Sequence, residues 1–238
     1  ETRHGVLLNN ILTDDPRHEL VPMPTNKSLG IALSWAGHEP DHTMDTFFKI
    51  MRAKSVDEAV KHTSRETSVI PLNLVMADKK DIAWQVTGRF PLRKKGRGLC
   101  PSPGWTGEYD WKGFLDPSLH PSAKNPRKGY IGTANNRTIP ANFPYILSSS
   151  WYYPQRAQRI DQMMQGVKGY TVENAKAMHL DVHSPFVEVI KEALLEEDTL
   201  KNMTTAWANN HQPQAAQKAI AILRNFDGNM TTDSAGAA

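Results

Sequence analysis

The sequence predicts an α+β chain, with strands gathered early and helices late, on three observations. Short apolar runs bounded by Gly, Asn and Pro fill the first third, a period-two hairpin stands at 72–88, and from 154 onward apolar residues recur at helical spacing. With 238 residues, 39% hydrophobic content and charges of both signs, the chain is long enough to bury a core and reads as globular.

"HGVLL" (4–8) and "GIALSW" (30–35) are apolar runs expected to form buried strands on either side of a polar, Pro-rich loop. Met44, Phe47, Phe48 and Met51 then fall at i, i+3, i+4 and i+7, one face of a helix. Ser55 and Glu58 have the spacing of a capping box and open a second helix bearing Val56, Ala59 and Val60. In the hairpin, Leu74 and Met76 alternate with Asn73, Val75 and Ala77, and Ile82, Trp84 and Val86 with Ala83, Gln85 and Thr87. Asp78-Lys79-Lys80-Asp81 joins the two strands. Pro71 cannot donate to a ladder, so the first strand is expected to be an edge or irregular at Asn73, where a side chain can be aimed out of the sheet.

From 89 to 128 the periodicity is lost. A loop of that length inside a domain is expected to be an ordered cover, and Trp105, Tyr109, Trp111 and Phe114 supply apolar area for it to pack. "GYIGTANN" (129–136) reads as strand-like. Pro154 then opens a helix through Ile160 and Met164, and Thr171 caps another. Ser184-Pro185 starts one with Phe186, Val189, Ile190, Ala193 and Leu194 on a single face, and a last helix runs from Ala215 to Phe226 before Gly228. The chain divides on this reading into a sheet-rich part, 1–136, and a helical part, 137–238.

Composition excludes several function classes. The net charge of +3 is spread along the chain and gives no field that implies a nucleic acid partner. No apolar run approaches the roughly 20 residues of a membrane helix. Cys100 is the one cysteine, so neither an intrachain disulfide nor a thiolate metal site is expected. Ser148-Ser149-Ser150 with His179 or His183 lacks the glycines of a nucleophile elbow, and Asp181 with His183 lacks a third ligand to complete a metal site. Asn135 and Asn136 read as turn formers. Glu1 stands in place of Met and runs straight into strand-like sequence, which suggests a mature chain or an excised piece.

"IPLNLVMADKKDIAWQVTGRFPLR", "PGWTGEYDWKGF", "NPRKGYIGTANNR", "YPQRAQRI" and "FDGNM" follow one another in an order and spacing that resembles the penicillin acylase family of N-terminal nucleophile hydrolases. The resemblance spans nearly the whole chain and is strongest toward the acyl-homoserine lactone acylases, which degrade quorum-sensing signals. It implies a portion of the family's αββα sandwich, taken from inside the nucleophile-bearing beta subunit of an exported, periplasmic, self-cleaving precursor. The partners it implies are the remaining segments of that precursor, namely the alpha subunit and the rest of the beta subunit, and a small acyl-amide substrate. The family nucleophile is a serine at a new amino terminus whose own α-amine serves as base. On this resemblance it lies upstream of "RHGV", outside the chain, and the chain alone is expected to be inactive.

Two positions match family site residues. Asn73 resembles the asparagine whose side-chain N–H binds the tetrahedral oxyanion, and Arg93 resembles the arginine near the site at the end of the second strand. An oxyanion donor should be neutral, carry a fixed N–H and sit on rigid backbone, and a carboxamide at a strand end meets all three needs. Taken without the resemblance, Asn73 reads as a sheet-edge cap, and Arg89, Arg93, Lys94, Lys95 and Arg97 as a solvated basic face. The resemblance also implies a calcium ion near the pocket of the parent protein, with "GHEPD" around Pro40 as the local contributor and no ligand assigned. The alternative function is a non-catalytic binding or structural domain that retains the acylase scaffold.

Overall fold

The computed structural model describes residues 2–8, 29–64, 69–209 and 213–237, and the chain divides into two compact units. One comprises 1–131 with 138–151, and the other 132–137 with 152–238. The architecture is α+β, with the strands in the first half and most helices in the second. The expected Pro-rich loop, 9–28, lies outside the described residues.

In the first unit β1 (Val6–Leu7) and β2 (Ala32–Leu33) pair antiparallel, Val6 opposite Leu33. The strands expected in "HGVLL" and "GIALSW" therefore exist, but the expectation of burial fails: Val6, Leu7 and Leu33 are exposed. Two residues with a single sheet neighbour leave no face large enough to hold a core. The helix α1 (Thr43–Arg52) forms where the apolar spacing placed it. Its buried residues are Thr43 and Thr46, however, while Met44, Phe48 and Met51 stand 66%, 50% and 79% exposed. The threonines bury without penalty because their hydroxyls are bonded: Thr46 Oγ1 donates to His42 O at 2.8 Å, and Thr43 Oγ1 donates to the Asp41 carboxylate.

The second helix, α2 (Val56–Thr63), is capped by Ser55 Oγ, which accepts from Glu58 N at 3.2 Å. The Glu58 carboxylate reaches one residue further back than a capping box predicts and accepts from Lys54 N at 2.8 Å. The first helical N–H, Val56 N, is taken by Asp78 Oδ2 at 2.8 Å. Asp78 belongs to the hairpin turn, so one carboxylate joins the turn to the helix start, where the macrodipole favours an anion.

The hairpin consists of β3 (Leu72–Ala77) and β4 (Ile82–Thr87), in register from Leu72 opposite Thr87 to Ala77 opposite Ile82. Asp78 Oδ1 closes the turn by accepting from Lys80 N and Asp81 N at 2.7 and 2.8 Å. β3 is an edge strand, as Pro71 requires, but it is regular through Asn73, which pairs with Val86; the expected irregularity is absent. Pro71 precedes the first pair, so its missing N–H interrupts no ladder bond. Gly88 leaves the hairpin at φ +140°, where a Cβ would stand 2.8 Å from the Phe90 ring and 3.0 Å from Pro71 Cα.

The stretch 89–128 is more ordered than its lost periodicity suggested. It holds β5 (Pro91–Arg93), β6 (Trp111–Phe114) and β7 (Ser122–Lys124). β5 and β6 pair antiparallel with a bulge between Pro91 and Arg93, and β7 adds to the free side of β4. Segments of three or four residues are too short to show a clear alternation, which explains why the sequence hid them. Val86, Phe90 and Leu115 form the buried cluster of this unit, with Trp84, Leu92, Tyr145 and Leu147 packed on it. Burying such side chains stabilises by about 1.5–3 kcal/mol each. His120 lies against it, edge-on to Phe90 at 5.1 Å, and neither ring nitrogen is hydrogen-bonded to a described residue.

The second unit is helical: α3 (Gln155–Met164), α4 (Val172–His179), α5 (Phe186–Leu195), α6 (Glu197–Asn209) and α7 (Pro213–Asn225). Pro154 opens α3, and Thr171 with Asn174 forms a capping box for α4. The sequence reading missed α6, whose apolar spacing is weak. The strand-like "GYIGTANN" is irregular backbone instead: Asn135 adopts φ +59°, and Asn136 Oδ1 accepts from Ala134 N, the turn roles read for both residues. Inside this unit Arg159 grips Asp181 through two bonds of 2.8 and 2.7 Å.

Two pH dependences follow. Three backbone N–H bonds, led by that from Val56, hold the Asp78 carboxyl down to about 2 from 3.8. Its stabilising contribution is complete above pH 3.8 and is lost as pH falls through about 2. Asp78→Asn is expected to lower the urea midpoint at neutral pH, with the gap to wild type closing across that acid window. Burial pushes the His120 imidazole below 6.5, so the unfolded chain binds a proton first and stability declines as pH drops below 6.5. His120→Leu is expected to flatten this part of the stability profile, as read by urea titrations at pH 7.5 and 5.5.

Candidate active site

Asn73 is half-buried on the edge strand, and the register puts it on one face with Val75, Trp84 and Val86. Trp84 lies opposite Val75 and is therefore the diagonal neighbour of Asn73, about 7–8 Å away along the backbone and within reach of an aromatic side chain. Its indole Nε1 donates to Asn73 Oδ1 at 2.9 Å. Thr138 Oγ1 adds a longer bond to the same oxygen at 3.4 Å. An indole N–H can only donate, so the atom it meets must be the amide oxygen. The Asn73 NH2 therefore points away from Trp84, and it donates to no group among the described residues.

Arg93 ends β5 opposite Trp111 on β6, and its guanidinium lies 5.6 Å from the Trp111 ring centroid. Gly98, at φ +72°, passes so close that a Cβ there would meet Arg93 Nη2 at 2.8 Å. The guanidinium has no hydrogen bond or ion pair among the described residues, and burial pushes its pKa below the usual arginine value. It lines an open cavity of about 760 Å³ in the first unit, together with Trp105, Trp111, Tyr109, Leu99 and His4. Asn73 does not line this cavity, and no hydrogen bond joins Asn73 to Arg93. The two residues are carried by different sheets.

Of the other basic residues of the run Arg89 is held, whereas Lys94, Lys95 and Arg97 are exposed, as a solvated face requires, the two lysines in surface ion pairs. Arg89, whose side chain is only 9% exposed, donates to Ala36 O and Pro40 O at 3.2 and 3.3 Å and stacks over Phe114 at 5.2 Å. Lys94 reaches Asp110 at 3.4 Å, and Lys95 reaches Glu108 at 3.2 Å. Arg97 O accepts from Ser149 Oγ at 3.3 Å. At the start of the chain Arg3 and His4 both donate to or meet Gly104 O, at 2.8 and 2.9 Å, tying "RHG" to the loop before β6.

Several oxygens of the "GHEPD" loop are engaged within the chain. The Pro40 carbonyl faces a guanidinium, Asp41 Oδ2 is occupied by Val69 N at 2.6 Å and by the Thr43 hydroxyl, and Glu39 lies 3.7 Å from Arg89. A fixed cation on these oxygens opposes a second one. Among the described residues no three His, Cys, Asp or Glu side chains gather to hold a metal. The serine and histidine alternatives also dissolve locally: Ser148 Oγ donates to Ser150 O, and Asp181 is spent on Arg159. No described helix is long and apolar enough to cross a membrane.

Among the described residues Asn73 is thus a neutral donor with a fixed orientation and N–H groups that meet no partner, and Arg93 is a partly desolvated cation without an ion pair beside the cavity. The sequence reading missed Trp84 and Thr138 as partners of Asn73. The diagonal relation of Trp84 to Asn73 was open to it, since both lie in the hairpin, whereas Thr138 is 65 residues away.

The family model described as penicillin amidase matches residues 1–238. The acyl-homoserine lactone acylase QuiP of Pseudomonas aeruginosa is 43% identical over 242 residues, covering 100% of this chain and 28% of that protein. The penicillin acylase 2 proenzyme of Pseudomonas sp. is 31% identical over 216 residues, covering 87% of this chain and 26% of that protein. Among solved structures, a thermostable penicillin G acylase from Alcaligenes faecalis shares the fold with a TM-score of 0.56 at 20% identity, covering 85% of this chain and 35% of that one. The chain spans 28% of the length of the QuiP relatives it matches.

Proposed function

Because the chain belongs to the penicillin amidase family, we propose that it forms part of an amide hydrolase that removes the acyl chain from acyl-homoserine lactones or penicillin-like amides. The observation that carries this reading is the Asn73 carboxamide, held by its oxygen, with its N–H groups donating to no described residue. The names of the relatives support the substrate class.

In this reading a hydroxyl nucleophile outside the chain attacks the amide carbon. The carbonyl π pair moves onto oxygen, where the Asn73 N–H donates to it. Collapse of the adduct restores the carbonyl and breaks the C–N bond, the amine leaves with the proton taken from the nucleophile, and water then releases the acyl group as a carboxylic acid. A neutral amide suits the task because its bond strengthens only as negative charge develops. Arg93 supplies positive potential to the separate cavity it lines, and so acts on the reaction only through substrate or segments that reach that cavity. The whole protein is read as an exported periplasmic enzyme that cleaves itself, with this chain as a piece of its beta subunit and the other segments supplying nucleophile and base.

In the full-length, processed enzyme, Asn73→Ala is expected to lower kcat by roughly 10²–10³ with KM nearly unchanged. Arg93→Ala is expected to fall in the same direction by less, while Lys94→Ala and Lys95→Ala stay near wild type because their partners are exposed ion pairs. Steady-state kinetics on a long-chain acyl-homoserine lactone and on a penicillin check this. A wild-type kcat for Asn73→Ala would leave the carboxamide as a strand cap.

A further inference from the structure

The geometry points to Trp84 as a positioning residue: its indole N–H sets the orientation of the Asn73 carboxamide and so aims the N–H that meets the oxyanion. This rests on the reading of Asn73 as the oxyanion donor. The structural ground is the 2.9 Å bond from Trp84 Nε1 to Asn73 Oδ1 between diagonal neighbours on one hairpin face.

A free carboxamide turns about its last bond and presents oxygen or nitrogen with similar ease, so an asparagine on an edge strand would expose the wrong atom much of the time. Only the nitrogen side can stabilise an oxyanion; the oxygen side would repel it. The Thr138 hydroxyl does not decide between them, because a hydroxyl both donates and accepts and its bond is longer, at 3.4 Å. The indole does decide, since it has a proton to give and no lone pair to offer. Trp84 is itself held: its ring packs on Val86, Phe90 and Leu115, and its backbone pairs with both Val75 and Ala123. The donor is therefore fixed from the sheet side before substrate arrives, which is the condition for electrostatic preorganisation. Trp84 has no contact with substrate in this account and acts only through Asn73.

The test uses the full-length, processed enzyme, with rates taken per processed molecule. Trp84→Phe keeps an aromatic ring in the cluster and removes the N–H. Its kcat is expected to fall about three- to tenfold, the worth of one hydrogen bond, with KM within twofold of wild type. In the Asn73→Ala background the same change is expected to cost nothing further, because there is no amide left to aim. Replacement of Trp84 by the isosteric benzothienylalanine, which keeps the ring volume and lacks the N–H, is expected to reproduce the kcat loss without a drop in melting temperature. A purely structural tryptophan would give the opposite pattern: Trp84→Phe would lower the melting temperature, the isostere would restore kcat, and the losses would add in the double variant. Either of those two kinetic results, or a kcat for Trp84→Phe equal to wild type while Asn73→Ala is impaired, overturns the inference and leaves the role of Asn73 standing. Wild-type kcat in Asn73→Ala overturns both.

Discussion

Side chains in an antiparallel pair alternate between faces with a period of two, so the alignment of Leu72 with Thr87 decides that Asn73 and Trp84 share a face. A slip of one residue would send the indole to the opposite side and leave the carboxamide without its donor. Asp78 is what guards that alignment. It binds two N–H groups of its own turn and the first N–H of α2, so the turn closes at one length and the helix start is tied to it. β7 fixes β4 from the other side, with Asn125 Oδ1 accepting from Ile82 N at 3.0 Å and Asn125 Nδ2 donating to Asp81 at 2.7 Å. The candidate site is thus held by turn chemistry at one end of a hairpin and read out at the other.

The basic residues illustrate how packing sorts a charge run. Arg89, Lys94, Lys95 and Arg93 stand within seven positions of one another, yet they meet different environments. Arg89 is satisfied by backbone carbonyls and an aromatic face, and the two lysines by carboxylates of the 108–110 loop. Among the described residues Arg93 alone of these four has no anion or carbonyl partner, and its guanidinium lies over Trp111. A desolvated guanidinium without a partner is costly, which makes it a group with field to spare for a substrate or another segment.

Helix existence was legible in the sequence where local spacing or capping marked it, and α6, with weak apolar spacing, was the helix left unread. α1 formed where Met44, Phe47, Phe48 and Met51 placed it, and Thr171, Pro154 and Ser55 capped the helices they preceded. Which face a helix buries was not legible. In α1 the threonines turned inward because their hydroxyls found Asp41 and His42, while the apolar stripe stayed outside. The same holds for β1 and β2, whose apolar character marked them as strands but could not supply a neighbour to bury them.

The family and the α+β class came from residue identity and order alone, since hairpin alternation, turn residues and ordered motif blocks are one-dimensional properties. The short strands β5, β6 and β7 needed tertiary structure, because three or four residues carry no clear period and are defined only by the partner they find. The orientation of Asn73 also needed it. A sequence names an asparagine, but which of its two ends faces outward depends on what meets the other end. Here that is an indole N–H brought diagonally across a strand pair, together with a hydroxyl from a loop 65 residues further along the chain.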